Sequence, residues 1–155
     1  MLLSALSVSL LLSCGFRSIY HKYQETPVQG WEKNDTLSFD IPTIQHSGIY
    51  RSVIGLRICK NFPFTDLYLI VEHTILPRTE TVRDTVRCTI ADEDGKLKSQ
   101  GVTYHQYQYP IADLQLEKGD SLHITVRHCM KRDILPGISD IGIQLQTGIQ
   151  TSHAK

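Results

Sequence analysis

The chain has 155 residues, enough for one domain with a proper core and too few for two. Sixteen basic side chains balance sixteen acidic ones, so no overall field draws nucleic acid or an anionic surface. The basic residues are scattered, with Lys131-Arg132 the densest pair, and a nucleic-acid partner is not expected. Ile, Val, Thr and Tyr recur while Ala is scarce, a composition that favours strands over helices.

The chain opens with an apolar run, residues 1–13, broken only by small hydroxyls and one Ala. As a helix it would span roughly 20 Å, too short for a hydrocarbon core of about 30 Å. That length is expected of the apolar region of a signal peptide, which is excluded from the fold. Next comes Leu11-Leu12-Ser13-Cys14-Gly15, which resembles the lipobox of bacterial lipoproteins. The resemblance implies that the Cys14 thiol takes a diacylglycerol and the leader is cut before it. The new amino group would then be acylated as well, and several chains anchor stably where one does not. The expected organisation is a signal peptide over 1–13 and a lipidated tether over 14–35, with one early strand around Ile19–Tyr23. A β-sandwich follows over 36–150, then a disordered tail over 151–155.

From Leu37 onward the dominant period is two, the signature of strands with one wet face. Tyr50–Ile58 and Leu67–Ile75 are more continuously apolar, as central strands covered on both faces would be. Over Thr81–Ile90 the residues Val82, Val86, Cys88 and Ile90 alternate with Thr and Arg. Tyr104–Tyr109 alternates too, with Tyr107 and Tyr109 expected inward. Leu122, Ile124, Val126 and Met130 form another inward set, and Ile141, Ile143 and Leu145 a last one. Turn chemistry separates these runs at Asn61–Asp66, Asp92–Gly95, Glu117–Asp120 and Leu135-Pro136-Gly137. The expectation is an all-β fold, a two-sheet antiparallel β-sandwich of about eight strands, jelly-roll or immunoglobulin-like.

Chemistry is sparse. Asp92-Glu93-Asp94-Gly95 starts like a calcium loop, but the twelfth position, where a Glu should close it, is Thr103; a hairpin turn accounts for it better. None of the seven His residues belongs to a short metal-binding motif, and no nucleophile elbow or phosphate-binding loop occurs. No catalytic residue, metal or cofactor is expected. Besides Cys14 there are Cys59, Cys88 and Cys129, of which at most one pair can bridge. The aromatic set Trp31, Phe62, Phe64, Tyr68, Tyr104, Tyr107 and Tyr109 could line a carbohydrate-binding groove, though such residues more often pack the core.

Several phrases together resemble the gliding motility lipoprotein GldH family of Bacteroidetes. They are the lipobox, Gly30-Trp31 with Lys33 and Asp35, Asn61-Phe62-Pro63-Phe64-Thr65-Asp66-Leu67-Tyr68-Leu69, and Asp84-Thr85-Val86. Ala91-Asp92 with Gly95, His128-Cys129-Met130-Lys131 and Leu135-Pro136-Gly137-Ile138-Ser139-Asp140-Ile141-Gly142 complete the set. The resemblance implies a membrane-held interaction protein tied to surface gliding or the associated secretion machinery, with other envelope proteins as partners. It brings no enzymatic activity, and Cys14 is the residue to which it gives a chemical role. Cell-surface lipoproteins of these bacteria tend to carry acids just after the lipidated Cys. Here Gly15-Phe16-Arg17-Ser18 has none, so the domain is expected to face the periplasm.

Overall fold

Residues that alternate along the sequence come to lie on opposite faces of strands. A computed structural model describes residues 17–99, 101 and 103–147. These residues form ten strands and no helix. The strands are β1 (Arg17–Glu25), β2 (Trp31–Glu32), β3 (Leu37–Ile41), β4 (Gly48–Cys59) and β5 (Asp66–Leu76). They continue with β6 (Glu80–Thr89), β7 (Tyr104–Leu116), β8 (Ser121–His128), β9 (Ile134–Leu135) and β10 (Ile138–Thr147). One antiparallel sheet has the order β1-β10-β4-β7 and the other β3-β8-β5-β6, while β2 pairs with β9 alone. With the two short strands set aside, the eight long ones run first-eighth-third-sixth in one sheet and second-seventh-fourth-fifth in the other. That is jelly-roll order: the chain crosses between sheets at every long connection except the β5–β6 hairpin. The sandwich expected from the alternation is what forms.

The core is made of facing rows. Tyr50, Ile54, Leu56 and Ile58 of β4 and Ile141, Ile143 and Leu145 of β10 come from one sheet. Leu67, Leu69, Val71 and Ile75 of β5, Leu122, Ile124 and Val126 of β8, and Phe39 of β3 come from the other. All are 4% exposed or less, and burying side chains of this size is worth about 1.5–3 kcal/mol each before entropy is charged against it.

Three expectations need correction. The segment 14–35 is not simply a tether, because Arg17–Glu25 is a strand of the first sheet, in register with β10 from Thr147 to Asp140. Residues 17–25 are therefore already part of the sandwich, ahead of the expected start at 36. The early strand expected around Ile19–Tyr23 is there. As an edge strand, however, β1 has no fully buried residue, so its polar composition hid its full length and its place in the sandwich. Second, Leu67–Ile75 is central but covered on one face only, since Tyr68, Ile70, Glu72 and Thr74 remain at least partly exposed. The β4 strand does have both faces covered over Ser52–Leu56. Part of that outer cover is Tyr23, whose ring lies over the paired Gly55 and Gly142; a Cβ on Gly142 would stand 2.7 Å from it. Third, β8 stops at His128, which takes the inward place expected for Met130. The expected end of the domain at 150 and the tail over 151–155 lie outside the described residues, as does the leader.

Candidate functional site

The jelly roll puts the first and last described residues and three connections at one end. The 42–47 connection, the 77–79 turn and the 117–120 turn meet there, and Arg17 pairs with Thr147 beside them. Cys14, the expected lipid site, lies outside the described residues, three positions before β1. The register of β1 slips between Ser18 and Tyr20, leaving Ile19 as the extra residue of a bulge. Its side chain is 44% exposed. Backbone bonds tie this end together: Ile44 N–H donates to Asp120 O at 2.6 Å and Gly119 N–H to Ile44 O at 2.9 Å. The Asp120 carboxylate accepts from Glu117 N–H at 2.9 Å and from Arg78 at 2.8 Å; these bonds, the backbone one foremost, hold its pKa below the usual value.

The opposite end is plugged. Trp31 is fully buried, pairs with Leu135 across β2–β9 and donates its indole N–H to Asp35 O at 3.0 Å. His128 stacks edge-on against it, with ring centroids 5.3 Å apart, and bonds Trp31 O through Nε2 at 3.1 Å. A carbonyl can only accept, so Nε2 carries the hydrogen. Gly137, with φ of 85°, seats the β9–β10 turn against Phe62, whose Cα would be 2.9 Å from any added Cβ. Just outside the plug lies a small apolar surface made by Phe64, Tyr68, Cys129 and Met130, with Lys131 and Arg132 beside it.

A polar contact crosses the middle of the core. Ser52 Oγ and His73 Nε2 are 2.8 Å apart, both fully buried, one from each sheet. His73 Nδ1 stands 4.0 Å from Asp84 Oδ2, and neither atom has a hydrogen-bond partner among the described residues. Serine, histidine and aspartate thus line up as in a hydrolase triad. Ser52, however, offers no surface to a substrate, and it lines neither the groove at the near end nor the apolar surface outside the plug. Burial pushes the His73 pKa down, more than the Asp84 charge raises it. The sequence signal for this contact was available: His73 is the one polar member of the inward row Leu67, Leu69, Val71, His73, Ile75.

The other residues singled out earlier disperse. Trp31, Phe62 and Tyr107 are core, and the Tyr107 and Tyr109 hydroxyls donate to Ile90 O and Thr89 O, so the aromatic set forms no shared platform. Asp92 Oδ1 accepts from Asp94 N–H and Lys96 N–H, which makes it the organiser of a tight turn. Cys59, Cys88 and Cys129 are free thiols; burial raises the Cys88 pKa to about 12. Among the described residues no group of three or more His, Cys, Asp or Glu is arranged to hold a metal ion, and no helix is long and apolar enough to cross a membrane.

Two gliding motility lipoproteins resemble the chain along most of its length. The Flavobacterium johnsoniae gliding motility lipoprotein GldH is 29% identical over 148 residues, 91% of this chain and 92% of the relative. The GldH homolog of Christiangramia forsetii is 20% identical, with 90% of both chains covered. Among solved structures, a family 35 carbohydrate binding module from Clostridium thermocellum aligns with 79% of this chain and 86% of its own at a TM-score of 0.41 and 19% identity. The GldH lipoprotein family model matches residues 18–145, from the second residue of β1 into β10. The chain belongs to the GldH lipoprotein family.

Proposed function

We propose that this chain is a non-enzymatic interaction subunit of the gliding motility machinery or its associated secretion apparatus. It is held in the cell envelope by lipid on Cys14 and faces the periplasm. The observation that carries this reading is the family match, which begins four residues after Cys14 in the Leu-Leu-Ser-Cys-Gly context of a lipobox. The names of the relatives support a gliding motility lipoprotein, hence a membrane-anchored place in the envelope. The finer role rests on chemistry: Ser52 is sealed inside the core, so the serine–histidine contact serves packing and not turnover. An anchored domain acts by meeting partners, and confinement to a surface raises their effective concentration as a linker does.

Mass spectrometry of the mature protein is expected to show a diacylglyceryl group on an amino-terminal Cys14. The Cys14→Ser variant should move from the membrane to the soluble fraction and lose its envelope crosslinks. An intact leader with an unmodified thiol would sink the anchor. Removal of the domain by protease added to intact cells would sink the periplasmic orientation.

A further inference from the structure

The end of the sandwich nearest Cys14 is not plugged. A groove of about 1150 Å3 opens between the start of β1 and the β3–β4 connection. Its floor includes the buried Ile44 and Tyr50, while Ile19 and Ile49 on its rim are 44% and 60% exposed. Arg17 and Lys118 stand on the same rim, and neither enters an ion pair among the described residues. The nearby Asp120 carboxylate is taken by Arg78 and a backbone amide, so it does not neutralise them. Exposed apolar side chains beside two cations that enter no ion pair, on an otherwise uncharged polar rim, suit a surface that rests at a lipid interface.

The covalent chain says what covers this groove. Three peptide units join Cys14 to Arg17, and at 3.8 Å per unit they reach at most about 11 Å in any conformation. A strand as long as the 12 residues of β4 extends roughly 40 Å, so the plugged end stays far from a lipid on Cys14. The groove does not. We infer that this groove is seated on a bilayer of anionic phospholipid, with Ile19 and Ile49 at the acyl boundary and Arg17 and Lys118 on headgroup phosphates. The inference rests on the lipidation of Cys14 and adds an orientation to it: the sandwich stands on its open end.

The test uses the lipidated mature protein in phosphatidylcholine–phosphatidylglycerol vesicles carrying a shallow doxyl-labelled lipid. The wild type has a single tryptophan, Trp31, buried in the far plug, and its emission is expected to be untouched. Ile49 is exposed enough for Ile49→Trp to fold, and the new indole should be quenched several-fold more than Trp31. In vesicles of phosphatidylcholine alone that quenching should weaken; equal quenching there would overturn the charge contribution. Protein that floats with the vesicles while both indoles stay unquenched overturns the seating and leaves the anchor standing. A partner protein or a second copy as the natural occupant would give that same unquenched result in protein-free vesicles. Protein that does not float at all overturns the anchor, and the seating with it.

Discussion

The two ends of the jelly roll solve one packing problem differently. At the far end the chain supplies its own stopper: Trp31 and Leu135, joined across a short two-stranded pair, with Phe62 buried at the same end. At the near end the connections are short and polar, and the floor residues Ile44 and Tyr50 look out into an open groove. A sandwich closes its sides by hydrogen-bonded sheets but has no intrinsic lid at its ends. Where the chain spends residues on a lid, substitutions should be costly. Where it leaves the end open beside the proposed anchor, they should cost little stability and act on location.

The largest expected effect comes from breaking the stopper. Trp31→Ala removes a fully buried indole and should cost about 3–5 kcal/mol, read as a lowered denaturant midpoint. The midpoint of the core contact is next. Ser52→Ala leaves a buried His73 nitrogen without its partner and should cost about 1–3 kcal/mol. The double change Ser52→Ala with His73→Leu removes both polar groups and should recover most of that loss. It should also flatten the pH dependence. Because burial lowers the folded pKa of His73, the unfolded chain takes up its proton first as pH falls below about 6.5. Stability from this group is complete above that value and declines as the medium is acidified towards the folded pKa. Thermal melts at pH 7.5 and pH 5 compare the two proteins; an equal drop in both would remove His73 as a cause, although His128, also depressed by burial, contributes in the same direction to each. The smallest effect is expected at the open end. Ile49→Ser alters a side chain already 60% exposed and should change stability by less than about 0.5 kcal/mol. A loss as large as that of Trp31→Ala would show that the near end is closed too, and the contrast between the ends would fail.

Much of the fold was legible because alternation is a local signal. The rows Val82, Val86, Cys88 and Leu122, Ile124, Val126 could be read two residues at a time, and the structure points each of them inward. The turns at Asn61–Asp66 and Glu117–Asp120 were equally plain, since Pro, Gly and Asp restrict the backbone wherever they stand. Strand β1 was not legible at its full length: an edge strand buries one face at most, and its residues are held by the backbone of β10 instead of by an apolar pattern. The candidate site divides the same way. Cys14 was singled out from its immediate neighbours in Leu11–Gly15, whereas Ser52 meeting His73 and Ile19 sharing a groove with Ile49 join positions 21 and 30 residues apart.

The sequence alone determined that the chain folds as alternating strands, where those strands turn, and which cysteine has the surroundings of a proposed lipid site. Those properties depend on neighbours within a few residues. Only the tertiary structure decided which sheet each strand joins, which end is plugged, and which exposed side chains gather at the open end. Such juxtapositions come from pairing across long loops, and no local pattern carries them.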